Sequence, residues 1–292
     1  MDQSELDARI QVYYAEQFEE AERLTTRSAQ GRLEPERTQE LVAARVPAGS
    51  RILDVGGATG VHAALLAAAG HAVTLLDPVP AQVEAARRHG GFEAYVGDAR
   101  DLPCPDASYD AALLLGPLYH LAARTDRLRA LAEARRVVRP GGWVFAAAIP
   151  RLARLVTMGL AETDRPTAAD LGALLGHGAP TGWGRFPGAH FHTAAELEDE
   201  LAAAGLVEVE VCALEGPDGL ALERVAGVDE EVHQAALRVV RAVGHLPGVR
   251  DLSNHLLATA RVAARTPGTT QMSEDGTSVA GSPSAAAASW GT

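Results

Sequence analysis

An α/β fold is predicted by three features of the 292-residue sequence: an open, largely parallel sheet with helices on both faces. Between residues 51 and 149, short apolar runs alternate with helical stretches. The runs are nearly continuous in their apolar character, the pattern of strands buried on both faces. The first run leads into a glycine-rich turn, Gly56-Gly57-Ala58-Thr59-Gly60, and then into a helix. In open sheets of this kind, ligands sit at the carboxyl ends of the strands.

Residues 1–46 read as helical, with Ile10, Tyr14 and Phe18 spaced four apart, and Pro47-Ala48-Gly49 marks a turn. Strands are predicted over 51–56, 72–77, 92–98, 109–116 and 143–149. Helices are predicted over 61–69, 80–89 and 124–139. The second opens on a proline, and Pro140-Gly141-Gly142 stops the third. The alternation breaks after Pro150. Residues 151–192 are glycine-rich, carry helical patterns over 152–160 and 168–175, and read as an insertion. The pattern resumes with a helix over 193–204, a strand over 207–214, a helix over 229–243 and a strand over 255–262. Residues 266–292 are small, polar and low in complexity, which predicts a disordered tail. The expected division is an N-terminal helical lid (1–46), a ligand-binding domain (47–265, including the insertion at 151–192) and the tail.

Composition narrows the function classes. Hydrophobic residues make up 47% of the chain, enough for a substantial core. The net charge of -12 argues against a nucleic-acid partner, which needs a basic face. All 26 basic residues are arginine. Without lysine, Schiff-base chemistry and lysine-dependent phosphate loops are excluded. Two cysteines, Cys104 and Cys212, cannot build a disulfide framework or a cysteine-rich zinc site. The acidic N-terminus reads against a signal peptide, and no apolar run is long enough to span a bilayer. A cytoplasmic enzyme with no membrane partner is expected.

The chemistry concentrates at the strand ends. Gly56 and Gly60 let backbone amides approach a ligand closely. Asp77 ends the second strand, placed to accept hydrogen bonds from two ribose hydroxyls. Asp98 ends the third, where a carboxylate can accept from an adenine amino group. Gly116-Pro117-Leu118-Tyr119-His120 ends the fourth, opposite the glycine loop.

The ordered segments LDVGGATG, LLDPVP, VGDARDLP, YDAALLLGPLYHL and RRVVRPGGWVF resemble the motif set of class I S-adenosylmethionine-dependent methyltransferases. The resemblance is strong over 50–150 and weaker to about 263. It implies a doubly wound seven-stranded sheet, mostly parallel with the last strand antiparallel, and S-adenosylmethionine as cofactor. It places Asp54, Gly56 and Gly60 around the methionine end, Asp77 on the ribose, Asp98 and Ala99 beside the adenine, and Leu115 and Gly116 on the floor. Gly57, Ala58, Pro78 and Tyr14 complete the expected cofactor set. One position departs: Ala58 stands where the family usually has glycine. If that backbone is left-handed, alanine costs roughly 1 kcal/mol.

His120 follows the fourth strand and is a candidate general base, or else a histidine packed beside the cofactor. His190 and His192 are further candidates for assisting deprotonation; their spacing can also suit a metal, but no acidic or cysteine partner stands close in sequence, and no metal is expected. Tyr13, Tyr119, Trp183 and Arg185 are candidate substrate contacts, with 1–46 and 151–192 as the substrate lid. The expected activity is methyl transfer to oxygen, nitrogen or carbon of a small molecule, secondary metabolites included. Two rivals stand beside it. A nicotinamide-dependent oxidoreductase would need G-x-G-x-x-G, but Ala58 and Val61 occupy its second and third glycine positions. The other is a cofactor-binding protein without catalysis.

Overall fold

The computed structural model describes residues 3–14, 24, 28–159, 166–179 and 190–264. The expected tail over 266–292, and Trp183 and Arg185 of the insertion, lie outside the described residues. Helices α1 (Gln3–Val12) and α2 (Leu33–Ala43) precede the sheet. Then follow β1 (Arg51–Val55), α3 (Val61–Ala68), β2 (Ala72–Asp77), α4 (Pro80–His89), β3 (Glu93–Val96) and β4 (Tyr109–Leu114). Next are α5 (Arg124–Val137), β5 (Val138–Ala148), α6 (Arg151–Gly159), α7 (Ala168–His177) and α8 (Ala194–Ala203). The last are β6 (Leu206–Ala213), α9 (Gly216–Leu222), α10 (Glu230–Val243) and β7 (Leu256–Val262).

The seven strands form one sheet in the order β3-β2-β1-β4-β5-β7-β6. All neighbours from β3 to β5 pair parallel, and β7 runs antiparallel to both β5 and β6, as the resemblance implied. Alternate residues of each strand feed opposite layers. Leu53, Val55, Ala112 and Leu114 pack with Leu131 and Val137 of α5 and Leu197 and Leu201 of α8. Ile52, Leu75, Leu113 and Phe145 pack with Leu41 of α2, Leu66 of α3 and Val83 of α4. Burial on both faces is the physical reason these strands read as continuous apolar runs.

The helix starts follow local chemistry. Thr193 caps α8 through a reciprocal pair with Glu196, and Thr167 caps α7 with Asp170 in the same way. Asp229 accepts from Val232 N–H at the start of α10. Among the described residues, no helix is long and apolar enough to cross a membrane.

Three departures from the expected bounds bear on the strand ends. β3 ends at Val96, so Asp98 lies past it, in an isolated bridge to Asp101. β4 ends at Leu114, which places Gly116 in the turn that follows. Pro140-Gly141-Gly142 does not stop a helix. α5 ends at Val137, and β5 already pairs at Val138 with Tyr109 before resuming at Trp143 opposite Ala111, so this tripeptide makes a strand irregularity. The short helix α9 had no periodic signal, having only seven residues.

Candidate functional site

Strand order reverses between β1 and β4, and a cleft opens at their carboxyl ends. Its empty space, open mouth included, is about 1210 Å³.

The glycine loop forms one wall. The N–H groups of Gly56 and Gly57 donate to Leu76 O at 2.7 and 3.3 Å, folding the loop over the end of β2. Asp77 then clamps it: Oδ2 accepts from Ala58 N–H and Oδ1 from Val79 N–H, each at 2.9 Å. Ala58 has φ 48°, the left-handed conformation in which alanine is strained. Gly57 has no room for a side chain, since a Cβ would stand 2.6 Å from both Asp54 Oδ2 and Leu75 Cδ1.

Asp54 lies under this loop, 1% exposed, and neither carboxylate oxygen has a hydrogen-bond partner. Burial lifts its pKa from 3.8 to about 6, with the charge of His62 acting the other way. A buried carboxylate without a donor is costly unless a ligand supplies one.

The 3₁₀ turn Pro117–His120 follows β4 and forms the opposite wall. Tyr119 donates its hydroxyl to Leu115 O at 3.2 Å. His120 Nε2 lies 3.0 Å from the Tyr14 hydroxyl, with the two rings edge to face at 5.5 Å. The N-terminal segment is tied across the cleft at several points. Gln3 Nε2 donates to His120 O at 3.2 Å, and Ala122 N–H donates to Gln3 Oε1 at 2.9 Å. Gln82 Nε2 donates to Tyr14 O. Arg100 Nη2 bonds Asp7 at 2.8 Å and Asp98 at 2.5 Å.

The cleft gathers Tyr14, Asp54, Gly56, Gly57, Ala58, Asp77, Pro78, Asp98, Ala99, Leu115, Gly116, Tyr119 and His120 of the expected set. Four expected residues of the described chain stand elsewhere. Gly60 is off the cleft; its φ is 86°, and a Cβ there would lie 2.6 Å from Phe92 Cζ, so packing and backbone conformation demand this glycine. Tyr13 does not line the cleft and packs edge to face on Tyr14 at 5.1 Å.

His190 and His192 are buried outside the cleft, in a cluster with Glu200. His192 Nε2 is 3.2 Å from Glu200, whose carboxylate also takes a forked hold from Arg127 at 2.7–3.1 Å. The acidic partner absent from the sequence neighbourhood of His190 is therefore supplied by α8. Burial, reinforced by His192 and Arg127, pushes the His190 pKa down to about 3, and burial also lowers that of His192. The backbone N–H of His190 donates to Tyr119 O at 3.3 Å. Their geometry serves packing of the segment behind His120.

Asp98 is also not as simple as expected. Its carboxylate receives Arg100 Nε and Nη2 as well as Arg100 N–H. Burial acts to raise its pKa, but the Arg100 hydrogen bonds outweigh that and hold it below the usual value. Arg100 stands two residues on, so the opposite charges were a readable signal. Glu34, His62 and Gln82 also line the cleft and were missed. His62 had a signal, being polar at the first turn of the helix after the glycine loop; Glu34 and Gln82 had none.

Residues 53–146 match the family model described as a methyltransferase domain. The chain is 30% identical over 212 residues to the O-methyltransferase cnsE of Penicillium expansum, spanning 66% of this chain and 72% of that one. It is 42% identical over 97 residues to the ubiquinone/menaquinone biosynthesis C-methyltransferase UbiE of Rubrivivax gelatinosus, spanning 32% of this chain. The matches span 38% to 51% of the length of the first three curated relatives. Among solved structures, a methyltransferase of Thermotoga maritima described as a possible histamine N-methyltransferase has the same fold. Its TM-score is 0.57 at 19% identity, over 87% of this chain and 98% of that one.

Proposed function

The chain belongs to the class I S-adenosylmethionine-dependent methyltransferases, and on that premise we propose that it transfers a methyl group from this cofactor to oxygen, nitrogen or carbon of a small molecule. The observation that carries the proposal is Asp54, a buried carboxylate without a hydrogen-bond donor, set in one cleft with a glycine loop clamped by Asp77. An ammonium group, such as that of the cofactor's methionine portion, supplies the missing donors. Asp77, whose carboxylate clamps the loop through two backbone amides, would accept from the ribose hydroxyls. Ala99 and Leu115 line the path of the adenine, and Asp98 reaches it in competition with Arg100.

When bound, the cofactor supplies a methyl group already activated on a sulfonium. The remaining work falls to the chain. α1 and Tyr14, tied to His120, Arg100 and Gln82, cover the cleft and exclude water. Tyr119 and Gly116 shape the floor on which the acceptor lies. His120 takes a proton from an acceptor hydroxyl or amine, and Tyr14 orients its ring. His190 and His192, which are not among the residues lining the cleft, are given no part in that step.

A small-molecule acceptor is supported by the net charge of -12, which repels a nucleic-acid backbone. Cys104 and Cys212 are both free thiols, in keeping with a reducing, cytoplasmic location. Calorimetric titration with S-adenosylhomocysteine and, separately, NADH tests the assignment. Binding of the first and not the second is expected, followed by methyl transfer to at least one member of a phenol, amine and enol panel. Binding of NADH alone would restore the oxidoreductase; tight product binding with no transfer would leave a binding protein.

A further inference from the structure

We propose that Gln82 couples occupancy of the cleft to the closing of its cover. Its side-chain carbonyl accepts a hydrogen bond from a ribose hydroxyl of the cofactor, while its amide nitrogen holds Tyr14 across the cleft. This role rests on the S-adenosylmethionine reading of the cleft and adds a positioning residue to it.

Hydrogen bonds run in series from one wall to the other. Asp77 Oδ1 accepts from Val79 N–H at 2.9 Å, and Val79 O accepts from Gln82 N–H at 3.0 Å in the first turn of α4. Gln82 Nε2 donates to Tyr14 O, and the Tyr14 hydroxyl lies 3.0 Å from His120 Nε2. Tyr14 thus bridges α4 and the turn after β4, by its backbone to the one and its ring to the other.

The series is incomplete at Gln82. This side chain is 5% exposed and lines the cleft, and its Oε1 is buried with no hydrogen-bond partner. Chemistry sets which end of the amide is open. Tyr14 O can only accept, so it takes the NH₂ end and leaves the carbonyl for a donor. A neutral carbonyl suits a neutral hydroxyl, and the ammonium falls to the charged Asp54. Asp77, joined to Gln82 through Val79, is the residue assigned to the ribose, so a ribose hydroxyl is the donor that fits. Over an empty cleft, closure leaves this carbonyl buried and unsatisfied, which opposes it. Over an occupied cleft, both ends of the amide are engaged and Tyr14 is held against His120.

The test uses the full-length chain, with S-adenosylhomocysteine and its 2′-deoxy and 3′-deoxy ribose analogues titrated by calorimetry into wild type and Gln82→Met. Methionine keeps the length of the side chain and removes both ends of the amide; circular dichroism checks its fold. Gln82→Met should weaken S-adenosylhomocysteine about 3–10-fold more than it weakens one of the two analogues, which already lacks the hydroxyl in question. Hydrogen exchange of residues 3–14 is then followed at saturating ligand. In the wild type, S-adenosylhomocysteine should slow it more than that analogue does, by the same factor of about 3–10. In Gln82→Met the two ligands should protect equally. A purely structural role would loosen the segment alike whichever ligand is bound. Equal weakening of all three ligands by the substitution overturns the coupling. So does wild-type exchange that ignores the hydroxyls, a result that needs no variant. Either outcome with S-adenosylhomocysteine still bound retires Gln82 alone, whereas no binding to the wild type retires the cofactor assignment with it.

Discussion

Asp54→Asn should make the ligand-free protein more stable at pH 8 while weakening its hold on the cofactor. The carboxylate is almost fully buried and has no donor, and its pKa rises from 3.8 to about 6. Between those values the folded protein holds a proton that the unfolded chain releases. Stability therefore falls as pH rises through this window and stays low above 6. A difference of about 2 pH corresponds to about 3 kcal/mol lost by the wild type at pH 8, and about half of that at pH 5. Asparagine keeps the shape and removes the charge, but its amide also lacks partners, so a gain of about 1–3 kcal/mol is expected. Urea unfolding of both proteins at pH 8 and pH 5 reads this directly, with the gap narrowing at the lower pH. The same substitution removes a charge-assisted contact of about 1.5–3 kcal/mol, which is roughly a 10–100-fold loss in S-adenosylhomocysteine affinity. A variant less stable than wild type at pH 8, or one that binds product equally well, would refute the reasoning.

Three further outcomes follow from the site and its supports. Ala58→Gly relieves a left-handed alanine and should retain or tighten S-adenosylhomocysteine binding, with stability changed by no more than about 1 kcal/mol; a large loss of affinity in calorimetry would mean the alanine methyl itself holds the ligand. With an acceptor in hand, His120→Ala should lower kcat by about 10²–10⁴-fold with product affinity little changed. Unchanged turnover would show that alignment alone suffices. Arg127→Met strips a buried carboxylate of its forked partner and frees the carbonyls of Leu121 and Ala122, so thermal or urea unfolding should register a loss of about 3–5 kcal/mol. A loss near zero would mean that Glu200 is neutral in the fold.

Local patterns proved legible where a local cause acts. β2 and α4 have the bounds read from apolar content and from Pro80, and Thr193 and Asp229 stand at helix starts. Asp77 and the loop from Asp54 to Ala58 line the cleft because strand ends and the turn after them are close in sequence. What depends on distant packing was not legible. Gly60 looked like a ligand contact, but its constraint comes from Phe92, 32 residues on. His190 and His192 read as candidates for assisting deprotonation, yet the fold buries them in a cluster with Glu200, which Arg127 also holds. Glu34 and Glu215 carry no motif at all, and only the fold brings them to His255.

The placement of β7 bears on how the protein is made. The last strand is an interior one, lying between β5 and β6. During synthesis, the first 150 residues can assemble β1 to β5 and the cleft between β1 and β4, but one side of β5 then waits more than a hundred residues for its partner. The side left open runs along Trp143, Val144, Phe145 and Ala146 and carries no charge between 143 and 148. β6, the true edge, is guarded by Glu208 and Glu210 and by the register shift between Val207 and Glu210. A nascent or prematurely terminated chain thus presents a sticky, unguarded ladder that the finished molecule never shows. Yield in the cell should accordingly depend on how quickly the final strand emerges and docks.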